Sequence, residues 1–219
     1  MNNWGRVCER IMHHDGLIRI GIVGAGAGGV ELTLAVQYRL EKLLAKKDRK
    51  NSSLEFHIFT DNNDILVTHN RFVRNKFRRV LNERGIHVHV DHKVSNVQQG
   101  GLQCSNGESY ELDEILWVTM ASAQSWLKES GLDVDEQGFV KVSDTLESIS
   151  HPGIFASGDV AQMINHPRPK SGVFAVRQGP PLSRNIRRLL LGQTLKTFTP
   201  QKQFLSLIST GDKYAIASR

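Results

Sequence analysis

Cysteine is scarce in this chain. Its 219 residues include two, Cys8 and Cys104, and they form no Cys-x-x-Cys pair. A dithiol reductase passes electrons through two adjacent thiols, so that route is closed, and no disulfide scaffold is expected. Long apolar runs are missing as well: no stretch approaches the ~20 residues that cross a bilayer. The opening "MNNWGRVCERIMHHDG" has no apolar core and carries charge throughout, which excludes a secretory signal. The expected compartment is the cytoplasm, with peripheral contact at a membrane left open. Nine histidines are present, but His87, His89 and His92 have no matching set of cysteines or carboxylates for a metal. They read as solvent-facing strand positions. No Ser–His–Asp elbow is found.

The net charge is +6, unevenly spread. The basic run over 70–84 spaces Phe72, Val73, Phe77, Val80 and Leu81 as a helix spaces core residues. Basic residues interleaved with aromatics, as a nucleic-acid footprint wants, are not the pattern here. The run reads as a solvated helix face, and no nucleic-acid partner is expected.

What is present is a strand–helix alternation. "IRIGIVGAG" reads as a buried parallel strand, and a helix follows with Val30, Leu34, Val36, Leu40, Leu43 and Leu44 near one face. "LEFHIFT" is a second strand, 70–84 a second helix and "IHVHV" a third strand. Short strands around Asn106-Gly107 form an antiparallel meander, and "EILWVT" closes the unit as a buried strand. After Thr119 the chain is mostly loop and short strand. "GIFASGD" reads as a strand into a turn, "VRQGPPLSRNIRRLLLG" as a helix with Pro181 near its start, and "QFLSLIST" and "KYAIAS" as a strand pair.

The first strand runs into a turn in which Gly24, Gly26 and Gly29 occupy three meaningful positions. The first glycine permits the tight turn, the second lets backbone approach a pyrophosphate, and the third lets helix and strand pack closely. The helix then offers free N–H groups and a positive dipole end to phosphates. A packing-only turn and a methyltransferase adenosine pocket compete, but the latter's turn is looser and its later motifs are absent. Glu31 falls on the first helical turn, where the dipole favours a carboxylate and where it would face a nicotinamide or a flavin. NADH recognition calls for an acidic residue at the end of the second strand. Here that end reads "IFTDN", with Thr60 at the discriminating position and Asp61 one step later. Thr60 does not repel a 2′-phosphate, and Arg71 and Arg74 reach toward one, so NADH and NADPH both stay open.

"GAGAGGVE", "EILWVTMA", "GFVKVSDTLES", "ISHPGIFASGDVA" and "GVFAVRQGPPL" together resemble the pyridine nucleotide-disulfide oxidoreductase superfamily, in its cysteine-free branch of type II NADH dehydrogenases. "PKSGVFAVRQGPPLSRNI" and "FLSLISTGDKYAIASR" are similar to the oxidoreductase half of selenide, water dikinase fusions. The resemblance runs along nearly the whole chain in order. It implies an α/β fold: a Rossmann-like FAD/NAD(P)-binding fold with an antiparallel meander, plus a partial second flavin-domain segment. Residues 1–18 would be a linker, 19–119 an NAD(P)H-binding domain, and 120–219 a partial FAD-binding domain. Asp159 would hold the flavin's ribityl chain or pyrophosphate, Gly158 would make room, and Gln178 would lie near the flavin ring. Met120 stands where the family has glycine, and its side chain would crowd the nicotinamide.

The implied activity is FAD-dependent NAD(P)H:acceptor oxidoreduction, with a quinone or another electron acceptor and a fused or separate selenide, water dikinase as partners. A first flavin segment with its own glycine turn is not found. The chain is therefore read as truncated at both ends, inactive alone and holding little FAD. A non-catalytic NAD(P)H-binding module or a decayed remnant is the alternative.

Overall fold

The computed structural model describes residues 3–46, 52–119 and 122–218. They fall into two compact units, one of Met1–Met120 with Leu205–Arg219 and the other of Ala121–Phe204.

The first unit is built on a four-stranded, wholly parallel sheet. Its strands are β1 (Gly16–Val23), β2 (Ser52–Phe59), β3 (Ile86–His89) and β7 (Glu114–Trp117), in the order β3-β2-β1-β7. Parallel neighbours need crossovers, and the helices α2 (Ala27–Lys46) and α3 (Arg71–Glu83) supply two of them. Side chains alternate across a strand. Ile18, Ile20 and Ile22 of β1 thus join Phe56 and Ile58 of β2, Val30, Leu34 and Leu40 of α2, and Phe77 and Leu81 of α3 in one core. Val23 and Phe59 belong to a second cluster with Leu102, Cys104 and Leu112 of the meander. The meander is β4 (Val94–Gln98), β5 (Gly101–Cys104) and β6 (Ser109–Glu111), antiparallel in that order.

The sequence expectations need several corrections here. Residues 3–13 form a helix, α1 (Asn3–His13), whose Ile11 is buried in the first core, so 1–18 is not a linker. The hairpin of β10 (Ser206–Ser209) and β11 (Ala215–Ser218) belongs to the first unit, because Ile208 and Ile216 complete its core. The expected boundary at 120–219 therefore does not follow the packing. Helix α3 starts where expected because the Asn70 side chain accepts the Val73 N–H at 3.0 Å. However, Phe72 is 71% exposed and packs in no core. Strand β7 lies at the sheet edge rather than inside it, and its Trp117 is exposed.

In the second unit, β8 (Val140–Val142) and β9 (Ala161–Met163) pair in parallel. Leu127 of α4 (Ser125–Glu129) packs with Val140, Val142, Leu146, Ala161 and Met163. The long helix α5 (Gly172–Leu190) begins nine residues before Pro181 and carries Pro180 and Pro181 in its interior. Each proline removes one helical hydrogen bond, but the flanking turns continue. Asn185 on α5 is 1% exposed. Its amide donates to the Thr145 and Lys196 carbonyls, both at 2.8 Å, and accepts the Lys196 N–H at 2.9 Å. "GIFASGD" is not a strand: Phe155 makes a single bridge to Glu147, and a 3₁₀ turn takes over at Gly158–Val160. That bridge is made by two backbone bonds, from the Ala156 N–H to the Leu146 carbonyl and from the Ser148 N–H to the Ile154 carbonyl.

Candidate dinucleotide site

The glycine turn joins β1 to α2 and is shaped by backbone contacts. Gly24 has φ +116°, and a Cβ there would lie 2.3 Å from the Val118 carbonyl oxygen. A Cβ on Gly29 would lie 1.8 Å from the Gly24 carbonyl oxygen. Both positions thus exclude any side chain. Gly26 is different: a Cβ there would meet nothing within 4 Å. The turn is closed on its protein side and open at its middle glycine. The Gly24 N–H donates to the Phe59 carbonyl at 2.8 Å, tying the turn to the end of β2. These residues fit a pyrophosphate lying over Gly26 at the N-terminus of α2.

Glu31 lies five residues into α2, and its Oε1 accepts the Ser209 N–H of the hairpin at 2.6 Å. Thr60 is buried, and its Oγ1 accepts the Asn62 N–H at 3.2 Å. Asp61 is exposed, with Oδ1 accepting from the Asn62 side chain at 2.9 Å. Thr60 and Asp61 therefore stand at the end of the strand that the turn is bonded to. Arg74 is engaged elsewhere, with Nη1 2.9 Å from Asp64 Oδ2. Met120 lies outside the described residues.

His89 is half-buried rather than solvent-facing, beside a half-buried His57, while His87 is exposed. His57 Nδ1 and His89 Nε2 are 3.0 Å apart, so one donates and the other accepts. His89 stacks on Phe59 with ring centres 4.6 Å apart and meets Tyr110 edge-on at 4.7 Å. Burial, with the neighbouring His57, His92 and His87, pushes His89 down to about 4. The alternation of "IHVHV" marks the face on which His89 lies, but not that Tyr110, from the meander that follows, covers it.

In the second unit, Gly158 and Gln178 do come together. The Gly158 N–H donates to Gln178 Oε1 at 2.6 Å, and Gln178 is buried. Asp159 is exposed beside them. The cleft they share with Lys170, Ser171 and Phe174 encloses about 20 Å³, room for about one water. Sequence reading missed Lys170, whose ammonium donates to the Ala161 carbonyl at 2.7 Å and sits 4.0 Å from the Phe139 ring centre. Its basicity is lowered by burial. A wider cavity, about 700 Å³, lies away from the glycine turn. It lies by the start of β1, where Arg10 pairs with Glu114 at 2.9 Å and Arg19 with Glu55 at 3.5 Å. Among the described residues no group of His, Cys, Asp and Glu is arranged to hold a metal, and no helix is long and apolar enough to cross a membrane.

A parallel sheet with a strand–glycine turn–helix and a covering meander defines a Rossmann-like dinucleotide-binding unit. The chain belongs to the pyridine nucleotide-disulphide oxidoreductase family, whose model matches residues 5–179. It is 26% identical over 187 residues to the type II NADH:quinone oxidoreductase of Haemophilus influenzae, covering 83% of this chain and 42% of that protein. It is 28% identical over 148 residues to an NADH dehydrogenase-like protein of Mycobacterium tuberculosis, covering 64% and 34%. The chain thus spans less than half the length of these two relatives. Among solved structures, the sulfide:quinone oxidoreductase of Aquifex aeolicus superposes with a TM-score of 0.73 at 13% identity, covering 97% of this chain and 56% of that one. An NAD-dependent persulfide reductase from A. fulgidus gives 0.67 at 17% identity, covering 94% and 36%. These two likenesses concern the fold.

Proposed function

We propose that this chain binds a reduced nicotinamide dinucleotide on the Gly24–Gly29 turn and belongs to an FAD-dependent NAD(P)H:acceptor oxidoreductase of the NADH dehydrogenase type. The observation that carries the reading is the contrast within the turn: Gly24 and Gly29 are closed by backbone, while Gly26 opens onto free space. Packing alone explains the first two and not the third. The Gly26 and α2 backbone would hold the pyrophosphate, and Thr60 and Asp61 the adenosine ribose. Gly158, Asp159 and Gln178 would meet FAD. When bound, the two cofactors supply hydride transfer from nicotinamide to flavin, and a quinone or other acceptor takes the electrons; the protein's part is to bind and orient them. A fused or separate selenide, water dikinase is the further partner we infer, from the likeness of "PKSGVFAVRQGPPLSRNI" and "FLSLISTGDKYAIASR". We place the protein in the cytoplasm or at a membrane's periphery.

The second unit favours one qualification. The Gly158 N–H is already satisfied by Gln178, and the cleft beside them holds about 20 Å³. We therefore expect the isolated chain to hold little FAD and to act alone as a nucleotide-binding module. Two titrations test the reading. NADH should bind the parent chain, and Gly26→Val should remove that binding while leaving the fold intact by circular dichroism. Equal binding by the variant would reduce the turn to a packing device. A stoichiometric flavin absorbance on the purified chain would overturn the module reading.

A further inference from the structure

The sequence offers Arg71 and Arg74 of α3 to a ribose 2′-phosphate, but a buried carboxylate holds Arg74 and, with it, Arg78. Asp64 is 5% exposed. Its Oδ2 lies 2.9 Å from Arg74 Nη1 and 2.5 Å from Arg78 Nη2, and its Oδ1 accepts from Arg78 Nε at 2.9 Å. Oδ1 also accepts the Ile65 N–H at 2.8 Å. Both oxygens are thus occupied. The carboxylate is buried while the two guanidiniums reach solvent in part, and removing them would leave an uncompensated buried charge on Asp64. Arginine recognises phosphate through its planar fork, and here that fork is committed to Asp64.

Asp64 sits in the loop that leaves β2 after Thr60 and Asp61. Within that loop, the Leu66 N–H donates to the Ala25 carbonyl of the glycine turn at 2.9 Å. The loop that carries the lock is therefore bonded to the proposed pyrophosphate site. At the strand end itself, the exposed charge is the Asp61 carboxylate, which suits ribose hydroxyls and repels a phosphate.

We propose that Asp64 is a specificity-determining residue: by holding Arg74 and Arg78 it withholds two cations from a 2′-phosphate and tilts the site toward NADH. This rests on the nicotinamide-dinucleotide reading above. Reduced-nicotinamide fluorescence on the whole chain tests it, with NADH and NADPH titrated separately. The parent should bind NADH at least about tenfold more tightly than NADPH. Asp64→Asn should lower the Kd for NADPH about tenfold while leaving that for NADH within about twofold, since freed guanidiniums gain the phosphate and not the hydroxyls. Arg78→Gln keeps the Arg74–Asp64 pair and should leave NADPH binding within about twofold, because a locked arginine contributes nothing to lose. That variant decides the matter if Asp64→Asn does not fold. A folded Asp64→Asn with an unchanged NADPH-to-NADH ratio would overturn the proposal. So would tight NADPH binding by the parent that Arg78→Gln or Arg71→Gln weakens. Binding of neither nucleotide by the parent would instead overturn the dinucleotide reading beneath it.

Discussion

The two units treat their glycines in opposite ways. In the first, Gly24 and Gly29 are pressed against carbonyl oxygens and Gly26 between them is open. The protein has closed every side of the turn except the one a ligand would use. In the second, Gly158 takes φ +71° and gives its N–H to Gln178, so the turn satisfies itself. The first arrangement is a backbone site set by sterics, and it survives in the sequence as spacing. The second is a side-chain arrangement, and its competence depends on Gln178 releasing what it holds. Their supports differ too. The first turn rests on a four-stranded sheet with clusters on both faces, the second on a two-stranded pair with a small core.

The sharpest way to break this contrast is Gly29→Ala. The added carbon overlaps the Gly24 carbonyl, and the turn cannot close without moving backbone. We expect a loss of more than about 4 kcal/mol, read as collapse of the urea midpoint. Gly26→Ala should cost about 0.5 kcal/mol by the same measurement. Similar losses at both positions would show that the middle glycine is packed after all.

In the second unit the corresponding weak point is Asn185. Asn185→Ala leaves two carbonyls and one N–H without their partner in a buried place. The expected cost is on the order of 3 kcal/mol, seen as faster hydrogen exchange over 140–198 with the first unit's sheet still protected. Loss of protection across both units together would show that the effect of Asn185 is not confined to the second unit.

Acid should act mainly on the first unit. His89 and His57 are both lowered, chiefly by burial, and His69 likewise. A histidine whose folded pKa is depressed contributes stability that is complete above its unfolded value near 6.5 and is lost as pH falls toward the folded value, about 4 for His89. His92 works the other way, being raised by the Val90 carbonyl and Glu108. With three lowered against one raised, Tm should fall between pH 7 and 4.5. His89→Phe should flatten that slope, and an unchanged slope would acquit the ring cluster. A smaller effect than at Gly29 or Asn185 is expected from Asn70→Ala, about 1 kcal/mol, through loss of the α3 cap.

What was legible in the sequence was local. The glycine spacing, the 3.6-residue period of α2 and the turn at Asn106-Gly107 each depend on neighbours within a few residues, and the first unit's elements follow from them. What was not legible depended on distant partners. Nothing beside Glu31 announces Ser209, 178 residues away. Arg74 was offered to a phosphate because Asp64, ten residues earlier, carries no sign that it is buried. "GIFASGD" has a strand's composition, but composition does not supply a neighbouring strand, and its backbone makes one bridge, Phe155 to Glu147, before the 3₁₀ turn. Pro181 points to a helix start because proline is favoured in a helix's first turn, whereas α5 has already begun at Gly172. Asp159 and Gln178 are where the family resemblance led us to look, and their contact with flavin is a matter for the titrations above.

The returning hairpin also sets an order of events on the ribosome. Ile208 and Ile216 enter the core laid down by β1, β2 and α2, and Ser209 bonds Glu31. A nascent chain released to residue 119 therefore carries the whole parallel sheet but a core with one side unsealed. It must wait while about 85 further residues are made; at ~5–20 residues per second that is several seconds or more. The second unit, uninterrupted in sequence, has all its residues in hand first. The earlier-made unit is thus the later one to finish, and its unsealed apolar face is the surface a chaperone would meet during synthesis.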